Sequence, residues 1–354
     1  MAIVASPSNS VSTSSGSTSS DSTSSGNEMS DSWQQSMRSA ERDPIALCRR
    51  LGLPSKYEAL AERAARLFGL FVPEEYIARI RHADPHDPLL RQVLPLAEEL
   101  EPVEGFSNDP VGDAAAVVDR GLLHKYQSRV LLVTTGACAV HCRYCFRRHF
   151  PYSETPHTLS DWQPALQQIA SDPEIDEVIL SGGDPLTIVD GRLSELVEQI
   201  EQIGHVGRLR VHSRLPVMIP SRVTDSLLNL LCGGRLTSIF VVHINHAAEI
   251  DQRVATALTR LVDAGLVVLN QSVLLNGVND SADALVDLSR RLVDLRVMPY
   301  YLHQLDRVQG AAHFEVPIAR GMEMIQQMRS QLPGYAVPRY VQEIGGETHK
   351  RVLA

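Results

Sequence analysis

The sequence predicts an α/β protein: an open, partial β/α barrel of about six units with an N-terminal helical subdomain. Three observations predict it. From about residue 129, apolar stretches recur roughly every 30 residues, the length of a βα unit. Between them the apolar residues fall at helical spacing, as in Leu193, Leu196, Ile200, Ile203 and again in Ile250, Val254, Leu258, Leu261. The polar stretches follow the predicted strands directly, and parallel β/α architectures place their sites at those strand ends. Six units fall short of the eight that close a full barrel, so the curled sheet should stay open.

The chain has 354 residues and 44% apolar content, enough for one large or two ordinary domains. Its net charge is −9 with no basic block, which argues against nucleic acid. No run approaches the roughly 20 apolar residues that cross a bilayer, and the N-terminus lacks a signal-peptide pattern. The expectation is a cytoplasmic protein with no membrane contact. Residues 1–40 are rich in Ser and Thr and should form a disordered tail. Residues 41–115 should form the helical subdomain. Ile45, Leu47, Leu51, then Leu60, Ala64, Leu67 supply its apolar face, and Pro54, Pro73, Pro85 and Pro88 divide it. The acidic run 98–104 reads as a solvated linker. Residues 116–354 should form the barrel, with strands over 130–135, 177–181, 209–212, 238–245, 266–273 and 295–302. Cys48 and Cys232 read as small buried hydrophobes.

Cys138, Cys142 and Cys145 crowd three thiols into eight residues after the first strand. In a reducing compartment such spacing reads as metal binding before disulfide. Three thiolates can hold a [4Fe–4S] cluster and leave one iron open, whereas an electron carrier usually takes four. Zinc, with His141 as fourth ligand, is the alternative. The Cys-x3-Cys-x2-Cys loop, with Tyr144 before its last cysteine, resembles the signature of radical S-adenosylmethionine (SAM) enzymes. Gly182-Gly183-Asp184 follows the second strand; its glycines allow close backbone approach, and the carboxylate could accept from an ammonium group. Arg147 offers a planar fork for a carboxylate, and Lys125, Tyr126 and Arg129 suit a phosphate.

Taken together, these stretches resemble the lysine 2,3-aminomutase family, with further matches at His212-Ser-Arg214, His243-Ile-Asn245-His246, Asn270-Gln271-Ser272, Pro299-Tyr300-Tyr301, Gly310–Phe314 and Gly345-Gly346 before Lys350. Phe146–Tyr152 and Leu302–Asp306 resemble most the short branch that supplies β-lysine for modifying elongation factor P. The resemblance implies a [4Fe–4S] cluster on Cys138, Cys142 and Cys145, SAM on the open iron, and pyridoxal phosphate (PLP) held by Lys350 as a Schiff base. It also implies Arg147 on the substrate carboxylate, Asp306 and Glu343 on its ε-ammonium, and Gln271, with Tyr144 and the Gly-Gly-Asp segment, around SAM. Lys125, Tyr126 and Arg129 would lie near the PLP phosphate. L-lysine, an electron donor such as flavodoxin or ferredoxin, and elongation factor P with its lysyl-transferring ligase are the implied partners. Two departures stand out. Glu343 replaces the Asp of longer mutases, and Ser281 stands where those carry a zinc ligand, so their zinc-binding extension is not expected. The rival readings are a mutase for another amino acid such as glutamate, a radical SAM enzyme without PLP, and a non-catalytic iron–sulfur sensor or scaffold.

Overall fold

The computed structural model describes residues 33–152, 155, 156 and 158–354. Short helices come first: α1 (33–39), α2 (Pro44–Arg50), α3 (Lys56–Ala65), α4 (Glu74–Ile77), α5 (Pro88–Arg91) and α6 (Asp113–Ala116). Local chemistry starts them: Asp43 accepts from the Ile45 amide ahead of Pro44, and Asp87 accepts from the amides of Leu89 and Leu90 ahead of Pro88. Two antiparallel strands follow, β1 (Val117–Asp119) and β2 (Leu122–Tyr126).

The chain then alternates: β3 (Arg129–Thr135), α7 (Leu159–Ser171), β4 (Glu177–Gly182), α8 (Asp190–Glu201), β5 (Arg208–Ser213), α9 (Leu215–Met218), α10 (Asp225–Cys232) and β6 (Thr237–His243). After these come α11 (Gln252–Asp263), β7 (Val267–Val273), α12 (Ala282–Asp294), β8 (Met298–His303), α13 (Ile318–Gln331), β9 (Arg339–Gln342) and β10 (Arg351–Val352). β3 to β9 pair in parallel, each with the next. The sheet runs β1 to β10 in sequence order, and its two edge strands do not pair. It is open, as expected. The six predicted strands are β3 to β8. β9 escaped notice because it has only four residues, and β1, β2 and β10 because they are short pieces without alternation.

Four sequence expectations need correction. Residues 33–40 do not belong to a tail: α1 is helical, Trp33 is buried in the main core under the Arg222 guanidinium, and Ser36 donates to Glu75. The expected disorder of residues 1–32 lies outside the described residues. In α3 the buried face is Ala61 and Ala64, whereas Leu60 is exposed, as is Leu67 beyond the helix end. Cys48 is buried, but Cys232, at the last position of α10, is exposed. Within the acidic run, Glu99 is buried, for a reason that lies in the cysteine loop. Among the described residues no helix is long and apolar enough to cross a membrane.

Candidate active site

The cysteine loop leaves the end of β3 and is seated by the N-terminal helices. The His141 amide donates to Phe71 O (3.0 Å), and the Arg143 amide to Gln92 O (2.9 Å). Arg143 grips Glu99 through both arms of its fork, at 2.8 and 2.6 Å, and Arg148 adds a third contact at 2.7 Å. One buried carboxylate thus holds two arginines, one on either side of Cys145. The His141 ring turns away from the thiols, bonding Gly69 O at 2.9 Å and stacking on Phe68. That removes the fourth ligand of the zinc alternative. Among the described residues no three His, Cys, Asp or Glu side chains gather as ligands of a single ion do.

The thiols themselves ask for a cationic centre. Burial pushes Cys138 well above the ordinary thiol range and Cys145 up to about 11, and in each case neighbouring thiols raise it further. Both shifts disfavour a bare thiolate, and a bound iron–sulfur cluster would supply the positive charge that thiolate ligands at Cys138 and Cys145 need.

Asp184 is not a free acceptor for a ligand. Its carboxylate takes donors from Ser213 Oγ (2.7 Å) and from the amides of Leu186 (3.0 Å), Arg214 (2.8 Å) and Leu215 (3.0 Å). The glycines before it are packing positions: a Cβ on Gly182 would meet Val133 at 2.5 Å, and one on Gly183 would meet Ala137 O at 2.4 Å. Gly182, Gly183 and Asp184 therefore support the cysteine loop from beneath and lie outside the cavity wall. The Asp184 carboxylate is thus engaged by Ser213 and by the amides of Leu186, Arg214 and Leu215.

A cavity of about 500 Å³ runs from the loop along the sheet, bounded by Cys142 and Cys145 and reaching Arg129 and Val130 at the start of β3. It gathers Lys125, Tyr126, Arg129, Tyr144, Arg147, Gln271, Asp306, Glu343 and Lys350. Cys138 lies outside its wall. Charges within it are paired internally. Lys350 donates to Glu343, which also accepts from the Tyr126 hydroxyl at 2.9 Å and lies 3.6 Å from Lys125. Burial raises Glu343, but Lys350 and Lys125 outweigh it and hold the carboxyl below its usual range. Arg129 sits over the Tyr126 ring at 4.2 Å. Asp306, half-buried and without so close a cation, is pushed up to about 7 by loss of solvent around its carboxyl.

Three groups of residues in or against this cavity were missed from sequence. Asp113, on α6, accepts from Arg147 Nε at 2.7 Å and pairs with Lys125 at 2.8 Å. Only its place ahead of an alanine helix start marked it. His212 and His303 line the cavity wall half-buried, and the Nε2 atom of each is buried without a hydrogen-bond partner. Burial keeps both neutral. Unsatisfied ring nitrogens of this kind are costly, and a polar ligand would repay that cost. With the Lys350 amine and the cations nearby, the wall suits PLP. The third group is the buried set Gln92, Arg214 and Glu249 behind Cys142; a lone Arg within His212-Ser-Arg214 carried no signal of a partner.

Fold and site together define a class: an open β/α barrel that carries a three-cysteine loop at its strand ends beside a charged cavity. Residues 128–209 match the family described as a 4Fe-4S single cluster domain. L-lysine 2,3-aminomutase of Escherichia coli (strain K12) is 47% identical over 324 residues, spanning 91% of this chain and 94% of that protein. The Haemophilus influenzae enzyme of the same name is 45% identical over 91% of this chain and 95% of its own length. That of Clostridium subterminale is 33% identical, over 89% of this chain and 76% of its own. The chain belongs to the L-lysine 2,3-aminomutase family. Among solved structures, the S-adenosylmethionine-bound SuiB of Streptococcus suis overlays with a TM-score of 0.48 at 12% identity, covering 65% of this chain and 53% of that one. A radical SAM methyltransferase from Sphaerobacter thermophilus gives 0.45 at 18%, covering 62% and 68%.

Proposed function

We propose that this protein is a radical SAM, PLP-dependent lysine 2,3-aminomutase that moves the amine of L-lysine from C2 to C3. The observation that carries the reading is the content of one cavity. It holds a fork for a carboxylate (Arg147), two acids for an ammonium (Asp306 and Glu343) and a lysine amine (Lys350), beside the cysteine loop. The chain's own groups stand in for substrate: Asp113 occupies Arg147 as a carboxylate would, and the Lys350 ammonium occupies Glu343. Glutamate would bring a second carboxylate to Asp306 and Glu343, so the pair disfavours that rival. A sensor or scaffold has no use for it.

In this reading Cys138, Cys142 and Cys145 hold the cluster, Lys350 carries PLP, and Lys125, Tyr126 and Arg129 attend its phosphate. Gln271 and Tyr144 border the SAM space. The cluster with SAM supplies the hydrogen-abstracting radical, and PLP carries the amine as it migrates. The chain's own task is positional. Once Lys350 is engaged, Glu343 is released to join Asp306 on the substrate's ε-ammonium, while Arg147 holds its carboxylate. Fixing both ends selects which carbon is presented. The likeness to the short branch supports delivery of β-lysine towards elongation factor P and its lysyl-transferring ligase. A low-potential donor such as flavodoxin or ferredoxin would supply the electron in the cytoplasm.

Borohydride reduction of anaerobic holoprotein followed by peptide mapping tests the reading. The pyridoxyl label should sit on Lys350, and Lys350→Ala should lose it while keeping iron and sulfide. A label on Lys125, or β-lysine formation undiminished in Lys350→Ala, would overturn it.

A further inference from the structure

Behind Cys142 lies a polar cluster that neither binding nor migration of lysine uses. Arg214, in the turn from β5 into α9, donates from Nη1 to Cys142 Sγ at 2.8 Å. Its Nη2 donates to Gln92 Oε1 at 2.6 Å and to Glu249 Oε2 at 2.9 Å. The other Glu249 oxygen takes Gln92 Nε2 (3.1 Å) and the amides of Asn245 (2.9 Å) and His246 (3.1 Å). Gln92, Asn245 and Glu249 are fully buried and Arg214 nearly so. Segments after α5, β5 and β6 thus hold one guanidinium against one thiol.

We propose that Arg214 sets the reduction potential of the cluster through its bond to Cys142, and that Glu249 sets how much of its positive charge the cluster feels. This rests on the cluster reading above. Reduction moves one electron from an external low-potential reductant into the cluster; no bond forms or breaks, and no proton moves. The added negative charge spreads onto the thiolates. A fixed cation in dry surroundings stabilises that state more than the oxidised one, because little solvent screens it. Hydrogen bonds to cluster sulfurs are an established lever on such potentials. A guanidinium stays protonated on both sides of the step. Glu249 sits on the far arm of the fork, so its charge offsets part of the effect without touching sulfur.

The experiment poises anaerobic holoprotein, without SAM, against titanium(III) citrate and redox dyes, and follows cluster absorbance and electron paramagnetic resonance. The double variant Arg214→Gln/Glu249→Gln removes both charges together and leaves amides in their places, so no buried charge is stranded. Its reduction constant should fall about tenfold, equivalent to about 59 mV for one electron. Glu249→Gln alone should move in the opposite direction, by about tenfold, since the cation is then unopposed. Arg214→Lys, which keeps charge but not the fork, should fall between parent and double variant. If either glutamine variant holds parental iron and sulfide yet reduces at the parental potential, Arg214 is a packing residue and the proposal fails while the cluster reading stands. Should the double variant not fold, Glu249→Gln and Arg214→Lys still decide by sign. Parent protein without iron and sulfide would sink the cluster reading itself.

Discussion

Asp306 is a carboxylate pushed towards neutrality at the position proposed for the ammonium site. Burial raises it to about 7 even with the Lys350 ammonium nearby lowering it. Below that value it is neutral and offers an ammonium no charge; above it, it is ionised. Lysine affinity should therefore rise about tenfold per pH unit up to about 7 and level off beyond. Engaging Lys350 covalently removes a nearby cation, so in PLP-loaded protein the midpoint should move above 7. Asp306→Asn should erase this step and weaken lysine binding roughly 10²–10³-fold, at unchanged PLP and cluster content. Calorimetric Kd values from pH 6 to 9 check both; a variant that keeps the parental profile would remove Asp306 from the ammonium site. Glu343→Asp retracts its carboxylate from Tyr126 and Lys350, and should bind lysine less tightly than the parent although Asp is the residue of the longer mutases.

At the scale of single elements, the seat of the cysteine loop is the sensitive part. Gly183→Ala would place a methyl 2.4 Å from Ala137 O and 2.8 Å from Thr135 O, both backbone atoms that cannot step aside. It should cost about 1–3 kcal/mol and lower iron content, measured on purified anaerobic protein. Gly191, near the start of α8, meets nothing within 4 Å, so Gly191→Ala should be neutral or stabilising by up to about 1 kcal/mol. The contrast separates a glycine kept for space from one that merely tolerates replacement. α1 makes a second case. Starting the chain at residue 41 deletes Trp33 from the core, so its thermal midpoint should fall well below that of a chain starting at residue 32. Trp33→Ala in the full chain should cost about 3–5 kcal/mol. Equal midpoints would return α1 to the tail.

For the molecule as a whole, the N-terminal helices and the barrel are coupled through Glu99. Glu99→Gln leaves Arg143 and Arg148, both buried, without their carboxylate, which should cost about 3–5 kcal/mol. Because the same arginines flank Cys145, iron loading should fall together with the thermal midpoint. Glu58→Gln, which breaks only the exposed partnership with Arg49, should change the midpoint by less than about 1 kcal/mol. Retained iron in a destabilised Glu99→Gln protein would show that the loop is seated without the helices.

Period and spacing carried much of this protein into plain view in the sequence. The 30-residue recurrence located β3 to β8, because parallel strands buried on both faces must be apolar and must be joined by crossover helices. Cysteine spacing located the cluster loop, since ligands of one centre on one loop are local by construction. What the sequence could not decide was pairing between distant segments. That Glu99 is buried rather than solvated depends on Arg143 and Arg148 arriving beside it. That Asp184 is spent on Ser213 and the amides after it depends on β5 lying next to β4. That Arg214 meets Cys142, and Asp113 meets Arg147, depends on turns brought together only when the sheet curls. A charged side chain's partner, and so its role, is set by which strand ends converge, and tertiary packing alone supplies that.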